Sequence, residues 1–249
     1  MTAAAGRVQL EPAYLLHHYP WRDSSRILDL LTRRHGRVTL FARAARRGGS
    51  ALPAVLQPFG ELLVSWSGRG EAGQLTGAER SGPARPLAGD RLMSAFYASE
   101  LLIKLLPRHD PHPALYGAYA GLIGMLADAS AVTARGLRLF EKRLLEELGW
   151  GLSLEVDAAT GRPIDASRNY RYRIDGGAEP VDGVAEGSLV FSGASLLSLA
   201  RGELGDARSL ADARRLLAAA LERCLDGRSL RTRQVFVAMR AHGGRTEGA

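Results

Sequence analysis

The sequence predicts an α+β protein with five short strands first and helices afterwards. Three observations carry this prediction. Residues 1–80 break into short apolar runs separated by turn-forming residues. Apolar positions recur at helical spacing from residue 91 onward. Between the two lies Ser81–Asp90, where Pro83 and Pro86 interrupt regular structure and Gly82 and Gly89 flank them.

The first strand is predicted over Tyr14–Tyr19, between Pro12 and Pro20. Ile27–Thr32 and Val38–Ala42 follow, joined by Arg33-Arg34-His35-Gly36, a candidate hairpin turn. A fourth strand lies within Val55–Trp66, with Pro58 restricting where its pairing starts. Gln74–Ala78 is the fifth, after the glycines Gly68, Gly70 and Gly73. Five short strands with polar turns suggest a small barrel; an antiparallel sheet packed on the later helices is the alternative arrangement.

Leu92, Phe96, Leu101, Leu102, Leu105 and Leu106 give Arg91–Leu106 an apolar helical stripe. Further helices are predicted over Leu115–Leu126, Val132–Gly149, Ser195–Ala200 and Asp212–Leu225, with a final one over Arg231–Met239. Between 150 and 190 glycines and prolines divide the chain into short pieces, and Tyr170–Ile174 alternates like an edge strand. The expected organisation is a domain at 1–80, a linker at 81–90 and a mainly helical domain at 91–240, with an irregular insert at about 150–190.

Composition narrows the function. Cys224 is the single cysteine of 249 residues, so no intramolecular disulfide and no all-cysteine metal cluster can form within one chain. No apolar run has the length of a membrane span or a signal peptide, so a cytoplasmic protein is expected. The formal charge is +7 and the pI near 10.0, which favours anionic partners. The excess is local: residues 22–47 hold eight arginines against Asp23 and Asp29, a net +6.

Arg22, Arg26, Arg37, Arg43, Arg46 and Arg47 are the candidate phosphate-binding residues of this segment. Single-stranded nucleic acid needs a basic track for its backbone and aromatic rings for its bases. Tyr14, Tyr19, Trp21, Phe41, Phe59 and Trp66 are the aromatic candidates. Trp21, in a proline–arginine–aspartate turn, is the one expected at the surface, whereas Phe41 and Phe59 are expected in the core. The competing reading of the arginines is a solvated face.

Tyr14-Leu15-Leu16-His17-His18-Tyr19-Pro20-Trp21-Arg22-Asp23, Gly36-Arg37-Val38, Ala42-Arg43-Ala44-Ala45-Arg46 and Leu56-Gln57-Pro58-Phe59 stand in order along the chain. Tyr97-Ala98-Ser99-Glu100-Leu101-Leu102, Leu145-Glu146-Glu147-Leu148-Gly149-Trp150-Gly151 and Gly227-Arg228-Ser229-Leu230-Arg231 continue the series. Across roughly residues 10–236 this ordered set resembles the RecO family of bacterial recombination mediators. The resemblance implies an N-terminal oligonucleotide/oligosaccharide-binding (OB-fold) barrel and a helical C-terminal domain. It implies binding to single- and double-stranded DNA, annealing of complementary strands, and help in loading RecA onto DNA covered by single-strand binding protein (SSB). Its implied partners are RecR and the acidic C-terminal tail of SSB, with nucleoid association during repair. An SSB tail needs a cation beside an apolar pocket; Arg138, with Arg135 and Lys142, is the candidate receptor. The competing role for Arg138 is to brace Glu141 or another helix.

Some members of that family carry a four-cysteine zinc site where this chain has Leu154–Ile164, which contains no cysteine. His109-Asp110-Pro111-His112 lacks further ligands, so no structural zinc and no other cofactor is expected. Phosphate-loop, HExxH and GxSxG motifs are absent, and Cys224 sits among helix-forming residues. No catalytic residue is therefore assigned, and a nuclease is disfavoured for want of a compact carboxylate set. The alternative function is a basic protein-interaction scaffold with little DNA affinity.

Overall fold

Residues 6–21, 25–43, 55–68, 72–82, 86–128, 132–181, 189–232 and 234–235 are described, from a computed structural model. By its contacts the chain divides into two compact units: residues 1–129 with 230–249, and residues 130–229.

The first unit is built on β1 (Arg7–Trp21), β2 (Ser25–Thr32), β3 (Gly36–Arg43), β4 (Glu61–Ser67) and β5 (Ala72–Arg80). They close into a barrel in the order β1-β2-β3-β5-β4, with β3 and β5 parallel and the other pairs antiparallel. The barrel arrangement, rather than the open sheet, is thus the one the chain adopts. Its interior is filled by one residue parity, including Ala13, Leu15, Leu28, Leu30, Val38, Leu40, Leu62 and Val64. β1 is longer than its predicted core because it serves two partners. Its first part pairs with β4 and its second with β2, and it shifts register between Val8 and Glu11 and between Leu15 and His17. Pro12 is accommodated inside this strand, and its carbonyl accepts the Arg33 N–H at 3.1 Å.

At the β2–β3 hairpin, Gly36 has φ +66, and a Cβ there would collide with the Asp110 backbone. The segment after the first helix can therefore reach β3, where the Arg37 carbonyl accepts the His109 N–H at 3.0 Å. Helix α1 (Gly89–Leu105) and helix α2 (Pro113–Ala127) complete the unit. Tyr14, on the outward side of β1, packs on Tyr116 and Tyr119 of α2 with centroids 5.4 and 5.2 Å apart. The Tyr116 hydroxyl donates to Glu61 at 2.8 Å, and Tyr119 shares a 2.7 Å hydrogen bond with Ser99. Burial, then the Glu61 carboxylate, pushes the Tyr116 hydroxyl far above the usual phenol range, so it remains a donor. Phe59 is 5% exposed, as expected of a core residue.

The C-terminal segment returns to this unit. Glu100 of α1 accepts from the Arg231 and Thr232 N–H groups at 2.8 and 2.9 Å and from the Thr232 hydroxyl at 2.7 Å. Burial opposes ionisation of Glu100, but these donors and Lys104 outweigh it and hold the carboxyl below its ordinary value.

The second unit contains α3 (Thr133–Glu147), β6 (Asn169–Arg173), β7 (Gly177–Val181), β8 (Val190–Ser192), α4 (Gly193–Arg201) and α5 (Ala207–Leu225). β6 is not the edge strand that its alternation suggested: it lies between β7 and β8. Tyr170 and Tyr172 fill one of its faces, each 2% exposed, so both flanks can be covered. The unforeseen β7 contains Pro180, which is tolerated because that strand is at the sheet edge. Ser192 and Asp206 cap α4 and α5 with their side chains, and Gly202 ends α4 at φ +69.

The cysteine-free stretch is held by carboxylates. Asp157 accepts from the Ala159 and Thr160 N–H groups at 2.8 and 3.3 Å and from the Thr160 hydroxyl at 3.0 Å. Desolvation opposes ionisation there, yet those donors hold Asp157 below its ordinary 3.8; the Ser167 hydroxyl and N–H do the same for Asp165. A carboxyl with a depressed folded pKa contributes stability above its unfolded value and loses it as pH falls through the folded one. The melting temperature is therefore expected to drop on acidification below about pH 4. In Asp157→Asn that drop is shallower, which a pH series of thermal melts by circular dichroism checks.

Candidate nucleic-acid interface

The parity that fills the barrel leaves the opposite parity of β1, β2 and β3 outside. Register places Tyr19 beside Ile27 and Ile27 beside Phe41, one row across three strands. The next row is Trp21, Ser25 and Arg43. Tyr19 and Trp21 are 44% and 45% exposed, and Phe41 is partly exposed rather than in the core where it was expected. The reason is its position on β3: Leu40 and Ala42 take the inward parity, so Phe41 must face out. Its ring lies 6.4 Å from that of Trp21, and its carbonyl accepts from Gln74 at 2.8 Å. His17 packs edge-on against Tyr19 at 4.4 Å. An aromatic strip thus runs over the strands that also carry the basic segment.

The proposed arginines separate into three groups. Arg43 is exposed in the Trp21 row and has no ion pair among the described residues. Arg26 has the inward parity but sits at the barrel rim, opposite Pro20 and partly exposed. Burial, then the Arg26 charge and His17, lower the pKa of neighbouring His18, which favours its neutral form. Arg37 is different. Its side chain is 12% exposed, lies 3.8 Å from Asp29 and donates to the Leu106 carbonyl at 3.1 Å. Asp29 is itself buried and accepts from Thr39 at 2.8 Å. Arg37 therefore offers little surface to a ligand. Arg22, Arg46 and Arg47 lie outside the described residues.

On α3 the other candidate set shares one helix face, since Arg135, Arg138 and Lys142 are spaced by three and four residues. Arg138 is 11% exposed and pairs at 2.8 Å with Glu141, which is 1% exposed. That is the bracing contact weighed against a binding role. Lys142 pairs with Glu146 at 2.9 Å, and Arg135 donates to the Gly202 carbonyl at 2.9 Å. Arg135 remains the exposed member. Among the described residues, no group of three or more His, Cys, Asp and Glu stands together as a metal site, and no helix is long and apolar enough to cross a membrane.

A closed five-stranded barrel in this order, with aromatic and cationic side chains on its β1–β2–β3 face, defines an OB-fold protein. Comparison with known sequences agrees. The family model described as Recombination protein O N terminal matches residues 8–83, and the one described as Recombination protein O C terminal matches residues 87–234. The protein named DNA repair protein RecO of Methylococcus capsulatus is 44% identical over 230 residues, covering 92% of this chain and 93% of the relative. Its namesake in Nitrosococcus oceani is 42% identical over 239 residues, covering 95% and 96%. The chain belongs to the RecO family.

Proposed function

We propose that this protein works in DNA repair as a non-catalytic mediator that binds single-stranded DNA on the β1–β2–β3 face of its barrel. The observation that carries the reading is the row of Tyr19 and Phe41 beside the row of Trp21 and Arg43. Rings of this kind stack bases without selecting sequence, and a guanidinium beside them neutralises the backbone. Arg26, with Arg22, Arg46 and Arg47 from the same basic segment, adds to that neutralisation. Annealing follows from the same physics: cations offset the repulsion between two phosphate backbones while the strands search for register. Binding to duplex DNA rests on the same backbone contacts.

In this reading the protein assists RecA loading onto SSB-covered DNA in a cell's cytoplasm, at the nucleoid, together with RecR. Arg135 and Lys142 on α3 are the cations that an acidic SSB tail would meet, while Arg138 positions Glu141. Family membership supports these partners as candidates.

The test is a salt series with a fluorescently labelled single strand. Affinity should fall steeply with salt, with a logarithmic slope of about −0.7 per phosphate contacted. A folded protein that binds no strand at low salt would favour the interaction scaffold instead.

A further inference from the structure

The barrel has an opening that the aromatic face does not use. β3 pairs with β5 over only three residues, Thr39–Phe41 with Ala72–Gln74. Before Thr39 the edge of β3 turns to residues 108–109 instead, through the Arg37–Arg108 bridge and the His109 N–H. At this opening is a cleft of about 260 Å³.

Val38, Leu40 and Trp66 form the apolar part of the lining at the barrel opening, and His35 and His109 the polar part. Gly73 keeps the β5 backbone close, because a Cβ there would fall 2.8 Å from the Trp66 ring. The His35 ring stands edge-on to Trp66, with centroids 5.2 Å apart and planes at 82°. Neither imidazole has a hydrogen-bonding partner for its ring nitrogens among the described residues. Among the described residues no acidic side chain lines the cleft, and the exposed Arg7 and Arg108 adjoin lining residues in sequence.

We propose that this cleft receives one unstacked base of a bound single strand. The inference rests on the DNA-binding reading above. The volume is below the about 300–1,000 Å³ typical of sites for drug-sized ligands, which suits a fragment such as a single base. Imidazole nitrogens donate or accept, so they match the polar edge of a base, while the apolar lining takes its ring. The cleft also continues the aromatic face: Gly73 precedes Gln74, whose amide holds the Phe41 carbonyl, and Thr39 lies two residues before Phe41.

The experiment uses the full chain and an oligothymidylate carrying the photoreactive base 4-thiothymine. Binding is followed by anisotropy, and adducts after irradiation are located by mass spectrometry. Adducts at His35, Trp66 or His109 are expected, and the double variant His35→Ala, His109→Asn should bind the strand about five-fold more weakly or worse with an unchanged salt slope. Adducts confined to the Tyr19–Arg43 face of a bound strand would overturn the proposal while leaving DNA binding intact. No bound strand at low salt would overturn both. Should the double variant not fold, the adduct map of the unaltered protein decides alone.

Discussion

Replacing Trp21 with alanine is expected to weaken binding of a short oligothymidylate by roughly 5- to 150-fold, the range of about 1–3 kcal/mol per stacked base. The ring is 45% exposed, so its loss should leave the melting temperature nearly unchanged. Trp21→Phe should retain most of the affinity, because a smaller ring still stacks. Arg43→Ala makes the contrasting change: the salt slope should become shallower by about 0.7 for one lost phosphate contact. Titrations of these three variants across salt concentrations separate base stacking from charge neutralisation. If Trp21→Ala and Arg43→Ala both bind like the unaltered protein, the strand lies on another surface.

Arg37→Ala should act on the fold. It leaves the Asp29 carboxylate, 4% exposed, without the guanidinium 3.8 Å away, and it removes the donor to the Leu106 carbonyl. Breaking a buried pair from one side costs about 3–5 kcal/mol. For a chain of this size, at about 2–4 °C per kcal/mol, the melting temperature should fall by about 6–20 °C. Adding Asp29→Asn should recover part of the loss, since a neutral amide is easier to bury than an unpaired carboxylate. Thermal melts of the single and double variants check this; an unchanged melting point for Arg37→Ala would return Arg37 to the DNA-contacting set.

Much of the barrel was legible because its strands alternate. Ile27–Thr32 and Val38–Ala42 were readable as strands, and their turn at Arg33–Gly36 stands between the observed β2 and β3. Alternation alone did not say which parity would face inward. That is settled by closure, which buries Leu40 and Ala42 and turns Phe41 out. The same closure buries Arg37 near Asp29, eight residues away in sequence, a pairing that no local charge pattern announces. β7 and β8 escaped notice because each is short, and Gly177 and Pro180 read as breakers; their partner β6 supplies what they lack. The cleft residues His35, Trp66 and His109 come from three separate segments, so no local motif could join them.

The attachment of Arg231 and Thr232 to Glu100 has a consequence for synthesis. Residues 130–229 form a continuous unit, whereas the barrel unit takes its closing piece from residues 230 onward. A ribosome releases the chain from the N-terminus, and domains generally fold as they emerge. Of these two units the one begun first is finished after the other: the Glu100 carboxylate waits for its donors until residues 130–229 have been made.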